Sequence, residues 1–311
     1  MKKILLMISA FLMAGMAGAQ EIDEYKLPGL ESMVVRNITS MTGETVTKTV
    51  FERDAEGKVV KILNYHMKGE ATELFERTEV SYNAAGQIAR EDTYTATDGV
   101  FGLSARQDYS YDANGHAIEQ LSYSLGENAS AGIQLEGKTV SGGYVGNIPA
   151  SMTVYGWDGS SWQQVSSLVQ TFNAAGQVAK TTINMHVNQM GMDMEMQSVS
   201  VYEYDSHGYP TKITASTEMM GMNVGSSVTT YTNTYNAAGL PEVIKAVSDA
   251  MGQTTQVITN YYYGAGGSTG IDAIKRAAAA ARFYSLDGKP INGVPTKAGV
   301  YILNGNKVTI K

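Results

Sequence analysis

Apolar and polar residues alternate along most of this chain in short stretches, as in Gln87-Ile88-Ala89-Arg90 and Gln177-Val178-Ala179-Lys180. Alternation of this kind places successive side chains on opposite faces of a β-strand. No helical period is sustained between residues 20 and 270. The stretches are punctuated by a recurring motif: Tyr82-Asn83-Ala84-Ala85-Gly86, Tyr111-Asp112-Ala113-Asn114-Gly115, Phe172-Asn173-Ala174-Ala175-Gly176, Tyr204-Asp205-Ser206-His207-Gly208 and Tyr235-Asn236-Ala237-Ala238-Gly239. Asp54-Ala55-Glu56-Gly57 is a copy without the aromatic residue, and Tyr144-Val145-Gly146-Asn147 is a decayed one. The glycines fall at 57, 86, 115, 146, 176, 208 and 239, a period of about thirty residues.

The chemistry of the motif is that of a turn. Asn or Asp bonds its side chain to the backbone two residues on, and Gly accepts a positive φ without steric cost. A second set of turn signals lies between these glycines, at Thr42-Gly43, Lys68-Gly69, Asp98-Gly99, Gly126–Gly132, Asp158-Gly159, Met190-Gly191, Met220-Gly221 and Met251-Gly252. The chain therefore reverses about every fifteen residues, and connections this short join only antiparallel neighbours. The expected fold is all-β: an up-and-down antiparallel meander of about fifteen strands built from hairpin repeats, forming a coiled single sheet or a partly closed barrel.

Tyrosine recurs at strand ends: Tyr109 and Tyr111, Tyr202 and Tyr204, Tyr231 and Tyr235, Tyr261 and Tyr263. Two readings stand side by side. The rings pack across strands, or they form an exposed strip that binds sugar rings or peptide, with Tyr109, Tyr111, Tyr202, Tyr204, Tyr231 and Tyr235 as the candidate residues. The motif resembles the YD repeats of the Rhs family of surface and toxin-associated proteins, in which Tyr-Asp-x-x-Gly precedes a short strand. The resemblance covers five clear copies. The family often has Arg after the Gly, where this chain has Gln87, His116, Gln177, Tyr209 and Leu240.

The two ends carry different signals. Residues 1–19 read as a signal peptide: Lys2 and Lys3, a short apolar run from Ile4 to Met13, then Ala17-Gly18-Ala19. That run is too short for a membrane helix, which takes about 20 residues. Residues 20–263 form the repeat domain and 264–282 a Gly- and Ala-rich linker. Residues 283–311 form a small β module with a hairpin at Asn304-Gly305. Tyr284-Ser285-Leu286-Asp287-Gly288, Pro295-Thr296-Lys297-Ala298-Gly299-Val300-Tyr301-Ile302 and the closing Lys307-Val308-Thr309-Ile310-Lys311 resemble the C-terminal sorting domain of Bacteroidetes type IX secretion cargo. That resemblance implies recognition by the type IX machinery, removal of the tail, and attachment to the cell surface or release.

Composition narrows the function. The 311 residues include no Cys, which excludes disulfides, thiolate metal ligands and a thiol nucleophile. The net charge of −7 argues against a nucleic-acid surface. Charged residues make up 17% against about 25% in an average domain, so Tyr, Thr, Ser and Asn carry much of the polar surface. The four histidines, His66, His116, His186 and His207, show no zinc-binding spacing, and there is no P-loop or nucleophile elbow. Met192, Met194 and Met196 alternate on one strand face with His186 nearby, a possible copper(I) set. The recurrence of Met-Gly at 220–221 and 251–252 favours packing between hairpins instead. Asp112-Ala113-Asn114-Gly115 lacks the spaced acids of a calcium loop and reads as an Asx turn.

The expectation is an exported, non-enzymatic binding or structural protein with no cofactor, presenting a Tyr/Thr-rich sheet to a glycan or to a surface or host protein. The alternatives are an outer-membrane β-barrel or a hydrolase of surface polysaccharide. Strand faces such as Arg90/Asp92 and Lys180/Thr182 speak against the membrane barrel.

Overall fold

The computed structural model describes residues 24–39, 43–69, 71–125, 132–189, 192–250 and 252–264. In the tail it describes 283–285, 290–291, 299–303 and 306–310. The signal peptide, nearly all of the linker, several second-set turns and the tail hairpin at Asn304-Gly305 lie outside the described residues. The strands run in chain order: β1 (Leu30–Thr39), β2 (Gly43–Arg53), β3 (Val59–Lys68), β4 (Ala71–Tyr82), β5 (Ile88–Thr97), β6 (Val100–Tyr111), β7 (Ala117–Leu125) and β8 (Ile133–Gly142). They continue as β9 (Ser151–Trp157), β10 (Trp162–Phe172), β11 (Val178–Gln189), β12 (Met192–Tyr204), β13 (Pro210–Met219), β14 (Met222–Tyr235), β15 (Pro241–Ala250) and β16 (Gln253–Tyr263). Four short strands, β17 (Phe283–Tyr284), β18 (Pro290–Ile291), β19 (Gly299–Leu303) and β20 (Asn306–Ile310), form a separate sheet in the order β18-β17-β19-β20.

Each of the first sixteen strands pairs with its sequence neighbour, and β1 pairs with β16 to close the barrel. The closing seam runs from Leu30 opposite Tyr263 to Thr39 opposite Thr255. The expected meander is present, with sixteen strands where about fifteen were counted, but the sheet is fully closed and is not an open coil. An open meander would leave the amides and carbonyls of β1 and β16 unpaired over about ten residues each, and closure removes that edge.

The repeat motif builds one turn six times. At Asp54, Asn83, Asp112, Asn173, Asp205 and Asn236, the side-chain Oδ1 accepts the backbone amides two and four residues on, at 2.8–3.1 Å. The amide of the glycine at the fourth position donates to the carbonyl of the first residue, as from Gly86 to Asn83 at 2.9 Å, with Gly86 at φ 79°. Asp112 is thus an Asx turn.

At each motif turn the pairing register slips by one residue, between Ser81 and Tyr82 for example, and likewise before Arg53, Tyr111, Phe172, Tyr204 and Tyr235. The slip places the first residue of the following strand opposite the motif aromatic and on its face, so Tyr82 faces Ile88 and Phe172 faces Val178. Three motif tyrosines, and Tyr263 at the end of β16, then reach back one repeat to a strand carbonyl. Tyr82 donates to the carbonyl of Val59 at 2.7 Å, Tyr111 to Ile88 at 2.8 Å, Tyr204 to Val178 at 2.8 Å and Tyr263 to Pro241 at 2.9 Å. Tyr144 does the same to Ala117, so the decayed copy keeps the bond.

Buried mid-strand side chains include Thr49, Val80, Leu168, Ile183, Met185, Tyr202, Ile213, Thr229, Ile244 and Tyr261. The register places all of them on one face of the sheet. This is the concave face, where side chains of a closed sheet crowd together. The segment before β1 packs against the inner wall at the motif end of the barrel, on the side of β15–β16 and β1–β5. Leu27 and Leu30 pack with Phe51, Val59, Val80, Ile244, Tyr261 and Tyr263. The Arg53 guanidinium donates to the carbonyls of Glu24, Tyr25, Leu27, Leu30 and Gly57 at 2.8–3.5 Å, and the Tyr25 hydroxyl donates to Glu91. This packed segment, the plug, marks that end of the barrel.

Two tests follow from the turns. Met220 stands at φ 51° in front of Gly221 at φ 76°, a left-handed pair that Asn or Gly occupies at lower cost than Met. Met220→Asn is expected to stabilise the barrel by about 1 kcal/mol, read from the urea midpoint. An unchanged or lower midpoint contradicts the strain argument. Asp205 uses its second oxygen to accept the Tyr235 hydroxyl and the Asn233 amide. Burial is the largest single influence on its carboxyl and would raise it. The bonds from Tyr235, Asn233 and the Tyr209 and His207 amides together outweigh burial and hold it below the ordinary aspartate value. Asp205→Asn keeps the turn bonds, as Asn173 does, but turns an NH2 toward two donors. It is expected to cost about 1–3 kcal/mol at neutral pH. A lowered carboxyl stabilises the fold above the ordinary aspartate range, and that contribution is lost as pH falls through the native value. The gap between variant and parent should therefore narrow below pH about 4 in acid-unfolding curves. A gap that is constant with pH would refute the assignment.

Candidate functional site

The closed sheet offers two walls, and the register assigns every strand residue to one of them. On the inward wall of β9–β12, Leu168, Ile183 and Met185 pack with Met152 and Met196. Ser166, Gln170 and Thr181 are buried beside them, and Ser166 Oγ, Gln170 Oε1 and Thr181 Oγ1 have no hydrogen-bond partner among the described residues.

All six candidate tyrosines lie on this inward wall, toward the plugged end. Tyr202 is only 6% exposed and packs with Val178 and Ile213. The Tyr109 hydroxyl donates to Glu91 at 2.6 Å, with Gln107 Oε1 also 2.6 Å away. Burial first, then the Glu91 charge, pushes its phenol far above the ordinary value. Tyr111 and Tyr204 are held by the repeat-to-repeat bonds, and Tyr235 donates to Asp205. Burial, then Asp205, raises Tyr235. Burial pushes Tyr231 up to about 12, with a smaller contribution from Tyr202. The structure brings Tyr202, Tyr204 and Tyr231 into one cluster around Val178 and Ile213, while Tyr109 and Tyr111 sit around Glu91 and Ile88. In this placement the six rings cross-brace neighbouring repeats and do not line the outer surface.

The methionine and histidine set divides between the walls. Met196 stands opposite Met185 and Met219 on the inward face. His186 pairs with Glu195 on the outward face, their nearest atoms 3.9 Å apart. A strand cannot turn both sets toward one ion. Among the described residues no group of three or more His, Asp and Glu side chains is placed to hold a metal.

The outward wall is the charged one. Ion pairs Arg36–Glu44, Lys61–Glu52, Arg77–Glu79, Arg90–Asp108, Arg106–Asp92 and Lys212–Glu203 lie on it, at 2.6–3.7 Å. Lys48, Lys180, Lys245 and Asp249 share that face on β2, β11 and β15. One sector differs. Over β3–β10, in the half of the wall away from the plug, the outward positions are Leu63, Tyr65, Leu74, Tyr94, Phe101, Leu103, Tyr123, Leu135, Tyr155, Trp157 and Trp162. Arg77 lies over Tyr94 and Phe101, with its guanidinium carbon 4.6 and 5.4 Å from the ring centres. Lys138 Nζ lies 5.2 Å from the Tyr155 centre and 4.7 Å from that of Trp162.

Trp157 and Trp162 face each other across the β9–β10 hairpin, ring centres 5.0 Å apart and planes at 56°. Asp158 organises the turn between them, accepting both the amides and the hydroxyls of Ser160 and Ser161 at 2.7–2.9 Å. Those bonds, led by the Ser161 amide, hold its carboxyl well below the usual range. Sequence reasoning recognised the turn at Asp158-Gly159 and passed over the tryptophans beside it. The signal was present, since these are the only two Trp in the chain.

No protein-family model and no curated protein matches the chain. Solved structures do. A porin-like protein from Bacteroides uniformis ATCC 8492 aligns over 75% of this chain and 97% of its own, at 14% identity and a TM-score of 0.37. A porin-like protein from Bacteroides vulgatus ATCC 8482 aligns over 76% of this chain and 99% of its own, at 11% identity and a TM-score of 0.38. Pseudomonas putida OprB aligns over 75% of this chain and 92% of its own, at 6% identity and a TM-score of 0.37. At these scores and identities nothing about the chain's family or activity is carried across.

Proposed function

We propose that this chain is an exported, non-enzymatic binding protein of the cell envelope, whose closed barrel stands in water and offers its outer wall to a glycan or to another surface protein. The observation that carries this reading is the distribution of charge on the outward wall. Paired or single Lys, Arg, Asp and Glu occupy it on β1–β6, β8, β11–β13 and β15. A Lys or Arg facing lipid at mid-depth costs about 2–4 kcal/mol. In water the same residues are ordinary surface groups that favour solubility. The leader-like residues 1–19 and the sorting-like tail support export.

A second reading, an outer-membrane barrel, draws on closure at an even number of strands and on the outward apolar and aromatic sector of β3–β10. That sector spans half the circumference, and a membrane girdle needs all of it.

Fractionation of cells making the full-length chain separates the two. The first reading expects the protein in the medium, or released from envelopes without detergent as a folded species rich in β-structure. Retention through alkaline extraction, with release only in detergent, would establish the membrane barrel and overturn the first reading.

A further inference from the structure

The outward face of β8–β10 combines features that neither the interior packing nor the water-facing role of the wall explains. Three rings, Tyr155, Trp157 and Trp162, stand on one side of the sheet at the end away from the plug. Their neighbours in register are Lys138, opposite Tyr155 on β8, and Gln164, opposite Tyr155 on β10. Gln164, Ser160 and Ser161 are exposed. Lys138 Nζ is held over the faces of Tyr155 and Trp162 and forms no ion pair among the described residues; Lys48, Lys180 and Lys245 of the same wall also lack one, but Lys138 is the one set between two aromatic rings. The one nearby acid at the hairpin tip, Asp158, is already saturated by Ser160, Ser161 and Gln163.

A cation fixed beside tilted aromatic planes and fringed by amide and hydroxyl groups suits one kind of ligand well. The rings cover the C–H face of a pyranose, the Gln164 amide meets its OH groups, and the ammonium takes an acidic substituent. A neutral sugar would leave the ammonium unused, and nucleic acid, which binds through many phosphate contacts, would find one cation, Lys138, among these side chains. We propose that Lys138, Tyr155, Trp157, Trp162 and Gln164 form a subsite for a carboxylate-bearing sugar of an acidic glycan. The proposal rests on the reading of the barrel as a water-facing binding protein and names its ligand class and site.

The site supplies its own reporter, because the only two tryptophans of the chain lie in it. Full-length protein is titrated with tetragalacturonate, with its methyl ester, and with neutral maltotetraose, following tryptophan emission and, independently, heat. The expected result is a saturable emission change with tetragalacturonate and affinity at least tenfold weaker for the ester and the neutral sugar. Lys138→Met should lose that preference, and Trp157→Ala should lose binding. Both variants are checked for parental far-UV circular dichroism. Should Trp157→Ala misfold, Trp157→Phe, which keeps a ring, serves in its place with an intermediate loss expected. Three outcomes overturn the proposal: no heat or emission change with the uronate, equal affinity for ester and acid, or uronate binding that leaves emission and the variants unaffected. The last would place glycan binding elsewhere on the wall and leave the broader reading standing. Recovery of the protein only in detergent would remove that reading itself.

Discussion

Everything in this barrel depends on the pairing of β1 with β16. A sixteen-stranded meander held together only by its hairpins has two free edges and no fixed curvature. The seam between Leu30–Thr39 and Gln253–Tyr263 converts it into a closed surface with one inside and one outside. Once closed, crowding is unequal on the two faces, and the difference is visible residue by residue. Thr181 and Ser200 are almost fully buried while Val169 and Val201, one position away from inward neighbours, are about half exposed. The plug gains its place from the same seam, because the chain enters β1 beside the exit from β16 and is held there by Arg53.

The repeat is the local device that makes the wall regular. Its Asx side chain satisfies two amides that a tight reversal would strand, and its glycine supplies the one backbone conformation the turn requires. Its tyrosine hydroxyl, at Tyr82, Tyr111 and Tyr204, links a repeat to the one before at a carbonyl just beyond the previous turn, and Tyr235 makes the link to the Asp205 carboxylate instead. Phe172 stands in the same position without a hydroxyl and contributes only packing, against Val178, so the register does not need every bond. Array and seam together account for a large fold with modest side-chain burial, since neighbouring strands supply most contacts.

The turns were legible in the sequence because Asn, Asp and Gly report their backbone chemistry directly. Strand direction and approximate number followed from spacing alone. Closure did not, since nothing in the alternation of β1 or β16 distinguishes an edge strand from a paired one. The assignment of faces failed to emerge for a different reason. Strict period-two reading puts Ile88 on the side of Arg90, yet the slip at Ser81/Tyr82 turns Ile88 inward to meet Tyr82. Similar slips at Asn64/Tyr65, Thr93/Tyr94, Ser122/Tyr123 and Gln164/Ser166 reset the alternation within the strands themselves. Tyrosines that look like a surface ladder on paper are therefore cross-braces, and the aromatic surface is made by other residues.

The adjacency of Leu30 and Tyr263 also fixes a polarity for the whole molecule. Both ends of the barrel chain open at the plugged rim, so any tether joined through the residues after Tyr263 pulls on that rim. The Trp157–Trp162 hairpin belongs to the other rim, a strand length of about 20–30 Å away. A barrel anchored this way stands on its plugged base like a post, and its tryptophans become the part that meets whatever approaches from outside.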